Sequence, residues 1–272
     1  MPVDIDAQLA FFRTANPEMF DLYCSEAAFG WREVGTDILS CRRGLEIGAG
    51  AGLLSYLAAQ QTTATIDAIE PIADGFGSAE AILEAVEKST PENLHFHRCR
   101  LEDFNAPANF DLIWSVNVFE HLPDWRSALL KTRDLLTADG KAILLFPNYD
   151  IPYEPHFRIP LIGGRAFARN SFSRYIDRCE TEKGGQGLWD SLNFIKASEI
   201  LRFAKENNLN ISTDTSITVR MFERLNDDDQ LKARQGILSL PATLFRLLKL
   251  HHLWAALPNV TQPYLRVILY SS

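Results

Sequence analysis

The chain has 272 residues, 46% of them hydrophobic and 23% charged, with a formal net charge of −8. That length buries a full core and fits one elaborated soluble domain, or one domain with a small cap. The acidic balance argues against broad nucleic-acid binding as the main task, because phosphate contacts need a concentrated basic face.

Residues 1–43 read as helical, with Leu9, Phe11, Phe12, Met19, Phe20, Leu22 and Tyr23 supplying apolar faces and Pro17 opening a second helix. An alternating pattern begins at Gly44: a strand at 44–48, a helix at 52–60, a strand at 64–70, a helix at 77–88 and a strand at 94–99. A strand at 110–116, a helix at 124–136, a turn at Asp139-Gly140 and a strand at 141–146 follow. Such alternation means a parallel sheet with helices on both faces. The rhythm breaks after Phe146 in a stretch rich in Pro, Gly, Arg and aromatics. It resumes with a helix at 196–208 and a strand at 211–224. A second, mostly helical interruption at 226–262 precedes the last strand at 264–270.

Cys24, Cys41, Cys99 and Cys179 form no CxxC pair and suit neither a zinc site nor a disulfide scaffold. Idle thiols fit a reducing compartment. The first residues lack the basic start and apolar core of a secretory signal, and no uncharged apolar run spans a bilayer, so the cytoplasm is expected.

The segment Gly44-Leu45-Glu46-Ile47-Gly48-Ala49-Gly50-Ala51-Gly52 carries the most chemistry. An apolar strand ends in an acid, three alternating glycines turn the chain, and a helix begins. Glycines there let a ligand approach the backbone, whose N–H groups face a polar or anionic group. A dinucleotide turn needs GxGxxG, but position 53 is Leu; a P-loop needs Gly-Lys-Ser/Thr, which is absent. Glu70 ends the second strand, where a carboxylate accepts ribose hydroxyls. Leu101-Glu102-Asp103-Phe104 follows the third strand, and Ser115-Val116-Asn117-Val118-Phe119-Glu120-His121-Leu122-Pro123-Asp124 leads out of the fourth.

Together these residues resemble a class I S-adenosylmethionine-dependent methyltransferase, of the type common among bacterial small-molecule and sugar methyltransferases. The resemblance covers roughly residues 40–148. It implies a Rossmann-like α/β fold: a seven-stranded, mostly parallel sheet with an antiparallel last strand, helices on both faces and a cap formed by two insertions. It implies S-adenosyl-L-methionine as cofactor. Glu46, Gly48, Ala49 and Gly50 would hold its methionine part and Glu70 its ribose. Glu102 and Asp103 would flank the adenine, and Asn117 would lie near the methionyl group and the acceptor. Ile72 is the candidate for the bulky residue against the adenine, and Asp74-Gly75-Phe76-Gly77 departs from the usual pattern.

The resulting division is an N-terminal helical part at 1–43, a cofactor-binding core at 44–148, a substrate-cap insertion at 149–195, more core at 196–225, a helical cap insertion at 226–262 and the last strand at 263–272. Both insertions leave from the cofactor side of the sheet, so substrate choice is assigned to them. His156 leads the catalytic candidates, with His121 second; an imidazole takes a proton near neutral pH. Both also have structural readings. Asn148, Tyr149 and Tyr153 are site-capable neighbours. Arg165 and Arg169 lie four apart and fork onto an acceptor carboxylate or phosphate, or else form a solvated face, as Arg174 and Arg178 do. His95 and His97 share a strand face without a third ligand nearby, so no metal is expected. In the second insertion, Leu244–Trp254 mixes apolar and basic residues at helical spacing. It reads as a cap helix buried against the sheet domain or a second subunit, or as a surface helix meeting a membrane and a lipid-linked acceptor.

The expected activity is methyl transfer to oxygen of a small molecule or saccharide, carrier-linked acceptors included, with no nucleic-acid partner and no transmembrane segment. The alternatives are a non-catalytic S-adenosylmethionine-binding subunit and an NAD-dependent oxidoreductase. A DNA base methyltransferase is disfavoured, because no Asn/Asp-Pro-Pro-Tyr/Phe segment follows the fourth strand.

Overall fold

The computed structural model describes residues 4–72, 77–107, 109–183, 185–228 and 239–271. Two helices open the chain, α1 (Ile5–Leu9) and α2 (Pro17–Ile38). Asn16 caps α2 by accepting a hydrogen bond from the Met19 N–H, and Pro17 occupies a first-turn position that needs no donor. Then come β1 (Arg43–Ile47), α3 (Leu53–Gln61), β2 (Thr65–Ile69), α4 (Glu80–Lys88), β3 (Leu94–His97), β4 (Phe110–Val116), α5 (Trp125–Asp134) and β5 (Leu136–Pro147).

The first insertion folds into a short hairpin, β6 (Tyr153–Glu154) with β7 (Ile159–Pro160), and three helices, α6 (Arg165–Ser171), α7 (Ser173–Lys183) and α8 (Leu188–Ser191). The core resumes with α9 (Ala197–Glu206) and β8 (Ile211–Thr213). Helices α10 (Ile217–Asp227), α11 (Ser239–Leu247) and α12 (Leu250–Ala255) precede β9 (Tyr264–Tyr270).

The main sheet has seven strands in the order β3-β2-β1-β4-β5-β9-β8. Strands β1 to β5 are mutually parallel, and β9 runs antiparallel to both its neighbours. Alternate side chains feed two cores. Leu45, Ile113 and Leu144 join Trp125 and Leu129 of α5 and Ile200 of α9 on one face. Ile66, Trp114 and Ile143 join Ile38 of α2 and Leu54 and Leu57 of α3 on the other. This is the Rossmann-like α/β arrangement that the resemblance implies, and in it the carboxyl ends of β1 and β4 lie side by side.

Three expectations are corrected. The strand read over 211–224 stops at Thr213, and the rest becomes α10. Asp214 accepts from the Ser216 N–H at 3.0 Å and starts the helix, whose spacing sets Arg220 and Arg224 on one face. Arg220 then bonds the buried Glu33 of α2 at 2.8 Å, a gain that alternation along the sequence does not reveal. Second, Asp139-Gly140 lies inside β5 and is no separate turn; the strand pairing shifts between Phe110 and Leu112, and a Cβ on Gly140 would meet the Phe110 carbonyl at 2.8 Å. Third, the aperiodic stretch after Phe146 holds the regular elements β6 to α8, too short to show a period. Residues 74–76 and 229–238, which carry part of the Asp74–Gly77 departure and of the second insertion, lie outside the described residues.

The helices of the second insertion pack on α10 through rings. Phe222 of α10 lies 5.5 Å from Phe245 and 5.9 Å from Trp254, and 5.8 Å from His251. Leu244, Leu247, Leu248 and Leu253 remain exposed. No described helix is long and apolar enough to cross a membrane.

Gly52 has φ +73°, and a Cβ there would sit 2.8 Å from Leu83 and 3.0 Å from Phe96. Gly52→Ala is therefore expected to lower the unfolding free energy by about 1–3 kcal/mol, whereas Gly77→Ala, which meets nothing within 4 Å, is near neutral. Urea titration of both variants measures the difference.

Candidate active site at the strand carboxyl ends

The glycine turn is tied to the end of β2. The N–H groups of Gly48 and Ala49 both donate to the Ile69 carbonyl, at 2.9 and 3.0 Å. Gly48, Gly50 and Gly52 all have positive φ, a conformation that costs other residues strain. Their surroundings differ. A Cβ on Gly48 would collide with Val118, while one on Gly50 would meet nothing within 4 Å. The backbone of Gly50 thus faces open space, where a ligand can lie against it.

Glu70 borders that space. It is 8% exposed and accepts from the Gly50 N–H at 2.7 Å and the Ile72 N–H at 2.9 Å. Burial raises its pKa, and these two donors and Arg98 oppose the rise. Each carboxylate oxygen accepts two hydrogen bonds, so capacity remains for a pair of hydroxyls. Glu46 is more deeply buried and hydrogen-bonds Ser55 at the start of α3; burial pushes its carboxyl up to about 8 against that bond. It braces the turn from beneath. Turn, open backbone and carboxylate fit the group the sequence implies, S-adenosylmethionine.

Asn117, one residue beyond β4, has φ +56°. Its amide donates to Glu26 of α2 at 2.9 Å and accepts from the Tyr264 hydroxyl at 2.6 Å. Glu26 also pairs with Arg224 of α10 at 3.2 Å. One amide thereby ties β4, β9 and the N-terminal helix together, with α10 joined through Glu26.

Three residues further on, Glu120 and His121 meet the first insertion. The Nδ1 of His121 lies 2.8 Å from the Ser191 hydroxyl, which itself donates to the Leu188 carbonyl. The hydroxyl proton is committed there, so the imidazole Nδ1–H donates to Ser191. His156 has its Nδ1 2.6 Å from Glu154. The two imidazole rings stand edge to face, 5.3 Å apart. Glu154 is fully buried and also accepts from the Tyr149 hydroxyl and the Phe157 N–H. Burial pushes Glu154 up, but His156 and the Phe157 N–H bring it below the usual carboxylate range. Glu120 is also fully buried, yet neither of its oxygens has a hydrogen-bond partner among the described residues. Burial pushes its carboxyl up to about 7 and holds the His121 pKa well below its ordinary value. The insertion is fastened here by Asn193, whose amide donates to the Phe119 and Leu122 carbonyls at 2.6 and 2.8 Å.

The remaining candidates are placed as follows. Asn148 is buried, donates to the Asn259 and Gln262 carbonyls, and accepts from the Asp150 and Ala197 N–H groups. It joins the roots of the two insertions. Tyr149 orients Glu154, and Tyr153 is half-buried. Arg165 pairs with Asp190 at 3.7 Å and Arg169 with Asp177 at 2.7 Å, acids of the insertion itself. Glu102 and Asp103 are exposed on a 3-10 turn; Asp103 borders a shallow cleft with Arg43, Asp67 and His97, and no described hydrogen bond joins either acid to the glycine turn or Glu70. Sequence reasoning missed Glu26, Arg224, Tyr264, Glu154 and Ser191. Only Glu154, two residues before His156, carried a local signal.

A family model described as "Methyltransferase domain" matches residues 45–142. Two strains of Mycobacterium tuberculosis each have an uncharacterized protein 33% identical over 230 residues, covering 83% of this chain and 77% of theirs. Among solved structures, a chain from the Haloferax volcanii complex of the Trm112 methyltransferase activator with a candidate methyltransferase matches 100% of this chain and 99% of its own. Its TM-score is 0.51 at 13% identity, a likeness of fold. With the matched domain spanning the glycine turn and β4, the chain belongs to the class I S-adenosylmethionine-dependent methyltransferase superfamily.

Proposed function

We propose that this chain binds S-adenosylmethionine and methylates an oxygen of a small molecule or saccharide, carrier-linked acceptors included. The observation that carries this reading is the contact of Gly48 with Val118. It sets the ligand-binding turn directly beside the segment that leads, two residues later, to Glu120 and His121.

When bound, S-adenosylmethionine supplies an electrophilic methyl group on a sulfonium. The protein's task is then to hold an acceptor in line with it and exclude water, an effect worth roughly 7–11 kcal/mol at best. Glu70 and the backbone of Gly48–Gly50 hold the donor. The Glu120, His121 and His156 group stands at the end of β4, where Asn117 fixes the loop, and the first insertion closes on it through Ser191 and Asn193. A hydroxyl acceptor must lose a proton, and two imidazoles, the buried carboxylate of Glu120 and that of Glu154 behind His156 are gathered here for that purpose. An acceptor that is already a free amine or carboxylate would have no need of it.

Two outcomes are expected. Glu70→Gln and Gly50→Ala each weaken S-adenosylhomocysteine binding about ten- to a hundredfold by calorimetry, the scale of a lost hydrogen bond to a charged group. Wild-type protein incubated with S-adenosylmethionine and a panel of sugars and phenols releases S-adenosylhomocysteine with at least one hydroxyl acceptor. Turnover only with amines contradicts the oxygen assignment, and turnover only with carboxylates contradicts a hydroxyl acceptor.

A further inference from the structure

Glu120, His121 and His156 form a cluster whose chemistry exceeds that of a general base. One ligand-capable atom from each lies within 4.8 Å of the others. Both imidazoles are oriented from behind, His121 by Ser191 at 2.8 Å and His156 by Glu154 at 2.6 Å, each through Nδ1. With Nδ1–H donating to its support, Nε2 is the nitrogen of each ring left to face a metal, whose binding displaces any proton there. The Nε2 of His121 lies 4.0 Å from Glu120 Oε1. An outer carboxylate or hydroxyl that fixes tautomer and ring angle is the usual support of a metal-binding histidine.

Glu120 supplies the second observation. Its carboxylate is fully buried and both oxygens lack a hydrogen-bond partner among the described residues. A buried polar group without a partner is costly, and a buried charge more so. His156 attracts Glu120, while Glu154, also fully buried, and Glu26 repel it. A cation among them relieves both penalties. His95 and His97, the pair singled out by spacing, do not compete: His97 is bonded to Asp67.

We propose that Glu120, His121 and His156 bind one divalent first-row transition ion. Two imidazoles and a carboxylate suit Mn²⁺, Fe²⁺, Co²⁺ or Zn²⁺ better than the all-oxygen preferences of Mg²⁺ or Ca²⁺. Metal–ligand bonds of about 2.0–2.2 Å put neighbouring donors roughly 3–3.5 Å apart, so modest side-chain rotation closes the set. Three protein ligands leave coordination positions for the acceptor. A hydroxyl held there gives up its proton to water near neutral pH. Its oxygen then forms the new O–CH₃ bond as the S–CH₃ bond breaks and the electron pair stays on sulfur. That role in catalysis rests on the methyltransfer reading above; the existence of the site does not.

The experiment is calorimetric titration of chelator-treated, tag-free protein with MnCl₂ and ZnCl₂, with elemental analysis for stoichiometry. S-adenosylhomocysteine binding is measured in parallel. One ion per chain is expected for wild type. Glu120→Gln and His156→Gln should each weaken it at least a hundredfold, and the outer-sphere Glu154→Gln about ten- to a hundredfold, with S-adenosylhomocysteine affinity unchanged. Circular dichroism checks that each variant is folded. Absence of stoichiometric binding to wild type, or equal binding by folded Glu120→Gln, overturns the proposal. Metal binding without S-adenosylhomocysteine binding would leave the site standing and remove the methyltransfer reading.

Discussion

The backbone of Gly48 lies against the side chain of Val118, in space that any other residue at 48 would fill. This contact fixes how closely the turn after β1 approaches the segment after β4. The turn is held from the other side by the Ile69 carbonyl, which takes the N–H groups of Gly48 and Ala49. From there Gly50 reaches Glu70, while Val118 leads into Glu120 and His121. The two halves of the proposed site are thus set by one close packing contact between neighbouring parallel strands.

Buried charge organises the rest. Glu33 of α2 meets Arg220, and Glu26 meets Arg224 and Asn117, so the N-terminal helix is bound to parts of the chain nearly 200 residues away. A buried ion pair is weak evidence of net stability, because desolvation offsets the attraction, but losing one partner is costly. These pairs therefore specify how α2 and α10 meet at the site's edge. On the opposite side, Glu154 is fully satisfied by His156, Tyr149 and Phe157, whereas Glu120 is not. Two buried carboxylates thus have different surroundings, and the proposed metal site is at the one without hydrogen-bond partners among the described residues.

The sheet was legible from the sequence because its strands are short apolar runs between helical periods, and because the spacing of Gly48, Gly50 and Gly52 after Glu46 specifies a particular turn. Glu70 was legible for the same reason, as an acid closing a strand. The strand misread at 214–224 failed because apolar residues two apart within Ile217–Phe222 also satisfy helical spacing, and the deciding partner, Glu33, is distant in sequence. His121 and His156 were each picked out singly. Their meeting was not, because it depends on an insertion folding back through Asn193. Ser191 and Glu26 had no local pattern at all. Local signals report the strand ends; long-range packing decides which side chains face one another there.

The most direct measurement of the central claim is a crystal structure with S-adenosylhomocysteine bound. The account predicts ribose hydroxyls on Glu70, the amino-acid end along the backbone of 48–50, and the sulfur directed toward Glu120, His121 and His156. A ligand bound away from the glycine turn, or a sulfur facing away from that cluster, would contradict it.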